Sequence, residues 1–166
     1  MMALCAAFTA VMAQISIPMS LGVPTTMQTF AVMLAGMVLG SRRGFVSVLV
    51  YALLGIAGIP VFAKLSGGLG ILFGPTGGFI LSFPVMAWIT GLGAERGGCW
   101  AAAAGLLAGT AVNYAGGLLI FCLITGQSME AAFMACVLPF IPTDVIKMFF
   151  AALIGVKLRA RNLVPE

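Results

Sequence analysis

The sequence predicts an all-α membrane protein, one domain over residues 1–166 folded as a bundle of six transmembrane helices. Composition is the first reason: 62% of residues are hydrophobic, only 7% are charged and the mean hydropathy is +1.20, far from what a soluble domain needs to cover its surface. Uncharged segments of helix length, such as 98–124, are the second. The third is that basic residues sort to one side of the bundle once six crossings are drawn.

The chain breaks where Pro, Gly and charge cluster, at 17–24, 41–44, 58–78, 93–98, 125–130 and 138–142. Between the breaks the predicted helices are 2–16, 26–40, 44–58, 77–93, 98–124 and 142–159, with room for a short extra helix at 128–138. The first begins MMALCAAF, without the basic stretch of a secretory signal, and reads as a retained helix. Its missing basic flank fits a very short N-terminus and an absent upstream segment equally. The second and third helices reach only about 22 Å at 1.5 Å per residue, short for a bilayer core of about 30 Å.

With six crossings, Arg42, Arg43, Arg96, Lys157, Arg159 and Arg161 share one side and Lys64 lies on the other. Basic residues favour the cytoplasm, so that side is expected to face inward with both termini. Residues 58–78 then form a long outer loop, yet Val61, Phe62, Leu65, Leu69, Ile71, Leu72 and Phe73 make it too apolar to be solvated. It should fold back on the bundle as a re-entrant-like segment, and its seven glycines let backbone approach a ligand closely. A structural plug and a ligand cover fit this pattern equally.

In the stretch IPTDVIK, Asp144 and Lys147 stand three residues apart at the start of the sixth predicted helix, on one face. An ionised group in a membrane segment costs on the order of 2.5–3.5 kcal/mol or more, so each needs a partner or a polar cavity. A self-contained salt bridge with a snorkelling lysine is one solution; a pocket for a small solute with N–H donors at one place and a carboxylate or carbonyl at another is the second. Asn113 and Tyr114 lie mid-helix among small residues, where an interhelical bond and a ligand contact are both open to Asn113. Thr25, Thr26, Gln28 and Thr29 give the second helix a polar rim, and Gln14 does the same for the first, as caps, helix-to-helix bonds or ligand contacts. Ala3 with Ala7 and Ala6 with Ala10 make a smooth stripe for a close-packed partner helix, internal or from another subunit.

Several chemistries are absent from the pattern. The chain has no His, and Cys5, Cys99, Cys122 and Cys136 stand singly, so buried thiols are expected and no metal or other cofactor. GGLGILFGPTGG lacks the lysine of a phosphate-binding loop, so ATP hydrolysis would have to come from another protein. A net charge of +4 spread along a membrane chain sets topology and does not suggest nucleic acid; the partner it implies is the lipid bilayer.

Three segments, AQISIPMSLGVPTTMQTFAVMLAG, GIAGIPVFAKLSGGLGILFGPTGGF and LPFIPTDVIK, resemble the BioY family in order and separation, nearly end to end. These are the biotin-binding S components of energy-coupling-factor transporters. The resemblance implies a six-helix, multi-pass subunit of a bacterial or archaeal cell membrane, not an enzyme. Such a subunit captures biotin outside and works with a transmembrane coupling protein and two ATP-binding-cassette ATPases. It implies that Asp144 accepts ureido N–H bonds and that Lys147, Asn113 or Lys64 meets the carbonyl or carboxylate. Phe62 and Tyr114 would cover the ring, Gln28 and Thr76 would complete the contacts, and Ala3, Ala6, Ala7 and Ala10 would meet the coupling protein. Thr143 stands where the family pattern has Gly, and Lys64 where small or amide residues are commoner. An S component for thiamine or riboflavin is the alternative within transport. An intramembrane enzyme using Asp144 and Lys147 is the alternative outside it, and needs a third reactive group that the sequence does not display.

Overall fold

Where water is excluded, a chain must satisfy its own backbone hydrogen bonds, and apolar runs without breakers do so as helices. The computed structural model describes residues 1–19 and 23–160. Its helices are α1 (Met2–Gln14), α2 (Gln28–Leu39), α3 (Ser41–Ile56), α4 (Gly77–Glu95), α5 (Cys99–Thr125), α6 (Met129–Cys136) and α7 (Ile141–Ala160). Residues 20–22 of the 17–24 break, and Arg161, lie outside the described residues.

Two boundaries differ from the expected ones for identifiable reasons. The ends of the first and second predicted helices are taken instead by a two-residue antiparallel ladder, β1 (Ser16–Ile17) with β2 (Thr25–Thr26). β-Branched Ile and Thr suit that extended backbone. The break expected at 41–44 is a correction: the turn is Gly40 alone, at φ +82°, and Ser41–Gly44 form the first turn of α3. Glu95 makes this possible, because its Oε1 accepts from the Ser41 amide at 2.6 Å and from the Ser41 hydroxyl at 2.9 Å. A helix start needs acceptors for its free N–H groups, and a carboxylate there also suits the helix dipole.

α4 packs against α5, α3 and α2, while α2 also packs against α7. The α4–α5 contact is close because glycines face each other: a Cβ at Gly93 would stand 2.5 Å from the Ala101 carbonyl oxygen and 2.7 Å from Gly105 Cα. α4 and α5 are long and apolar enough to cross a membrane; α6 and α7, bent by 55°, make a third span if taken together. α1 and α2 are apolar but shorter, at 13 and 12 residues. The bonds of Glu95 to Ser41, and the contact of Gly155 with Met37, bring the α2–α3 turn, the end of α4 and the end of α7 together. Arg42, Arg43, Arg96, Lys157 and Arg159 therefore share one end of the bundle.

Residues 57–76 fold back at the opposite end. Phe62 is buried, its ring 5.7 Å from that of Tyr51 in an edge-to-face contact, and the Gly68 amide donates to the Gly55 carbonyl at 2.7 Å. The apolar loop residues are divided, however, since Leu65, Leu69 and Phe73 are exposed. The cysteines are free, and Cys99, expected to be buried, is exposed at the first position of α5.

The glycine contact between α4 and α5 sets an expectation for stability. Gly93→Val forces backbone apart and should cost about 1–3 kcal/mol, whereas Gly70→Ala, with open space around it, should stay within about 0.5 kcal/mol. Thermal unfolding of the detergent-solubilised chains measures both; equal midpoints would remove the close approach from the account.

Candidate functional site

α7 begins just after Phe140, and its first two turns project Asp144 and Lys147 inward on one face. Both are buried, at 2% and 6% exposure, with Lys147 Nζ 2.7 Å from Asp144 Oδ1. The ammonium also donates to the Thr26 carbonyl at 2.8 Å and to Thr29 Oγ1 at 3.1 Å. All three of its donors are thereby engaged. On the carboxylate, Oδ1 accepts a second bond from the Thr29 hydroxyl at 3.2 Å and Oδ2 accepts from the Tyr114 hydroxyl at 2.6 Å. A charged pair drawn from one helix thus binds together β2, α2, α5 and α7. Buried charges hold only when paired and hydrogen-bonded in this way, since desolvation otherwise exceeds their attraction.

Two further polar groups are placed with equal care. Gln28 accepts from the Thr26 hydroxyl at 3.0 Å through Oε1 and donates through Nε2 to the Tyr51 hydroxyl. Tyr51 donates in turn to the Val61 carbonyl at 3.2 Å, linking α2 and α3 to the loop. Asn113 is fully buried; its Oδ1 accepts from the Ser82 hydroxyl at 2.7 Å, while its Nδ2 has no partner. Such an orphaned donor costs about 1–3 kcal/mol, which an incoming acceptor would offset.

These side chains converge on a cavity of about 340 Å³, a size typical of small-molecule sites, about 300–1,000 Å³. Asp144, Lys147, Asn113, Tyr114, Gln28, Phe62, Lys64 and Thr76 all line it. Phe79, Ile80, Phe83 and Phe140 complete an apolar wall, and residues of the loop from Ala63 to Thr76 form the outer side. Gly55 matters here because a Cβ at that position would strike the Phe62 ring, which packs directly on it. Thr143 does not line the cavity; it donates to the Phe140 carbonyl at 2.8 Å. On α1, Ala3 and Ala7 are exposed, Ala6 is buried and Ala10 is half-buried against the core, so the two pairs face different ways.

Several participants carry no mark in the sequence. Ser82 reads as an ordinary serine in an apolar helix, and nothing local tells that it fixes Asn113. Phe79 and Phe83 recur at one-turn spacing, a usable signal of a shared face, but in an all-apolar helix no polar side shows which face turns inward. Tyr51 and Gln14 act through partners far away in sequence: Gln14 donates to the Phe62 carbonyl at 3.1 Å and accepts from the Leu65 amide at 2.9 Å.

Known proteins resemble this chain in sequence and fold. The BioY family model matches residues 1–163. A probable biotin transporter BioY of Pyrococcus horikoshii is 44% identical over 163 residues, 98% of this chain and 96% of that one. The biotin transporter BioY of Thermotoga maritima is 40% identical over 149 residues, 89% of this chain and 86% of its own. Among solved structures, the S-component for biotin from an ECF-type ABC transporter superposes with a TM-score of 0.88 at 25% identity, over 96% of this chain and 88% of the other.

The buried network makes unequal demands on single and paired substitutions. Asp144→Leu or Lys147→Met alone strands one charge and should cost about 3–5 kcal/mol, while the two together should cost less than either alone. Unfolding of the purified chains completes the cycle; strictly additive losses would contradict a coupled pair.

Proposed function

Because the chain belongs to the BioY family, we propose that it is a biotin-binding S component of an energy-coupling-factor transporter, taking biotin from outside a bacterial or archaeal cell and passing it inward. The observation that carries this reading is the apolar cavity with an ion pair and an unpartnered amide donor in its wall. Biotin has a ureido ring with two N–H donors and one C=O, an apolar thiophane and a carboxylate on a flexible chain. Asp144 Oδ2, with one bond made to Tyr114, keeps acceptor capacity for a ureido N–H. Asn113 Nδ2 offers a donor to an acceptor on the ligand. Phe62 and the facing aromatic wall cover the thiophane, Tyr114 holds Asp144 in place, and Gln28 and Thr76 border the ring.

In this reading the chain crosses the membrane six times, with α6 and α7 sharing the last crossing and both termini cytoplasmic. The basic end of the bundle then faces inward, and the cavity lies near the outer surface. Without a phosphate-binding loop, the energy for delivery comes from two ATPases acting through a coupling protein. Exposed Ala3 and Ala7 offer that protein a flat face of α1, while Ala6 and Ala10 let α1 lie close to its own bundle. Binding and transfer need no covalent chemistry, and in this reading the pair holds ligand polarity and does not act as an acid and base.

Isothermal titration of the detergent-purified chain should give single-site biotin binding and no heat with thiamine or riboflavin. Asp144→Asn and Lys147→Ala should each weaken biotin by at least about tenfold, the scale of a charge-assisted hydrogen bond. Unchanged affinity in both variants would take the pair out of the site, and binding of a different vitamin would replace the ligand.

A further inference from the structure

Three charged side chains, Lys64, Asp144 and Lys147, line the cavity, and their charges are not balanced. Asp144 and Lys147 neutralise each other, and every donor of Lys147 is already engaged. Among the described residues no carboxylate pairs with Lys64, so the cavity is left with one uncompensated cation at its outer side. A site of that charge suits a monoanion.

The backbone at Lys64 is the second observation. Its φ is +58° and that of Leu65 is +53°, a region where L side chains are disfavoured and glycine is the default. Glycine is plentiful in this loop, yet lysine holds the position. The turn is kept in place by a third element: Gln14, at the end of α1, uses both ends of its amide to span it, donating to Phe62 O and accepting from Leu65 N–H. The Phe62 amide bonds to the Ser66 carbonyl at 3.0 Å, and the Ser66 hydroxyl to the Ala63 carbonyl at 2.7 Å, closing the turn beneath the lysine. Strain retained against a cheap alternative, and fixed by a side chain from another helix, points to a use for the side chain it presents.

We propose that Lys64 seats the ligand's carboxylate at the cavity mouth and that Gln14 is the positioning residue that holds it there. This rests on the biotin reading and deepens it by orienting the ligand. The valerate chain runs outward to Lys64, and the ureido ring lies inward, with its carbonyl toward Asn113 Nδ2 and an N–H toward Asp144. Lys147 then serves the ring end only through Asp144.

The test compares biotin with biotinamide, which replaces the carboxylate by a neutral amide, by titration of the full chain in detergent. Wild type should prefer biotin by on the order of tenfold at low salt, and the preference should shrink as ionic strength rises. Lys64→Gln should bring the ratio to about one and remove its salt dependence. Gln14→Ala keeps the cation but frees the turn, and should lower the ratio by roughly threefold. Lys64→Gly relieves the left-handed backbone, so it should keep or raise the thermal midpoint while losing the preference, a combination that a purely structural lysine would not give. A Lys64→Gln variant retaining the full preference, or a wild type that binds both ligands equally, overturns the assignment and leaves the biotin reading standing. A wild type that binds neither ligand overturns the biotin reading as well.

Discussion

A charge placed in hydrocarbon surroundings has to be compensated, and the meeting of Asp144 with Lys147 is where this fold does so. The pair alone would not suffice, because a carboxylate has several acceptor sites and an ammonium three donors. The remaining bonds come from Thr26 and Thr29, more than a hundred residues earlier, and from Tyr114 on α5. One electrostatic requirement thus fixes the start of α7 against the starts of α2 and the middle of α5. It also decides where the cavity is, since these are the elements that surround it.

The two ends of the bundle are built by different means. At the basic end, close packing dominates: a one-residue turn at Gly40, a carboxylate cap from Glu95, and α4 on α5 through facing glycines. At the cavity end, aromatic rings line the wall and the loop from 57 to 76 folds over it, tied down by side chains of α1 and α3 through Gln14 and Tyr51. That division suits a protein that must bind at one end and keep its shape at the other. It also connects α1, whose outer face carries Ala3 and Ala7, to the turn over the cavity through Gln14 at its last position.

The membrane class was legible from composition, and Asp144 and Lys147 were legible because charge is conspicuous in an apolar run. Phe62 could be singled out because the Gly-rich loop around it is too apolar to be a plain connection, whereas Lys64 and Thr76 came from the family resemblance. Other features depend on contacts that no local pattern encodes. Ser41 looks like part of a break until Glu95, fifty-four positions later, is known to cap it. Asn113 is visible as a polar residue, but its orientation is set by Ser82 on another helix. The alanines of α1 form a regular pattern in which Ala3 and Ala7 are exposed while Ala6 is buried and Ala10 half-buried, a division that spacing alone does not reveal.

Asp144 is the sole aspartate of the sequence, so carboxyl-13C aspartate labelling gives a single side-chain carboxyl resonance with no need for assignment. If this carboxylate forms part of the ligand wall, titrating biotin into the purified chain should move that resonance and saturate at one equivalent. A resonance that stays in place while calorimetry on the same sample records tight biotin binding would show that the ligand sits elsewhere and that the ion pair only holds the helices together.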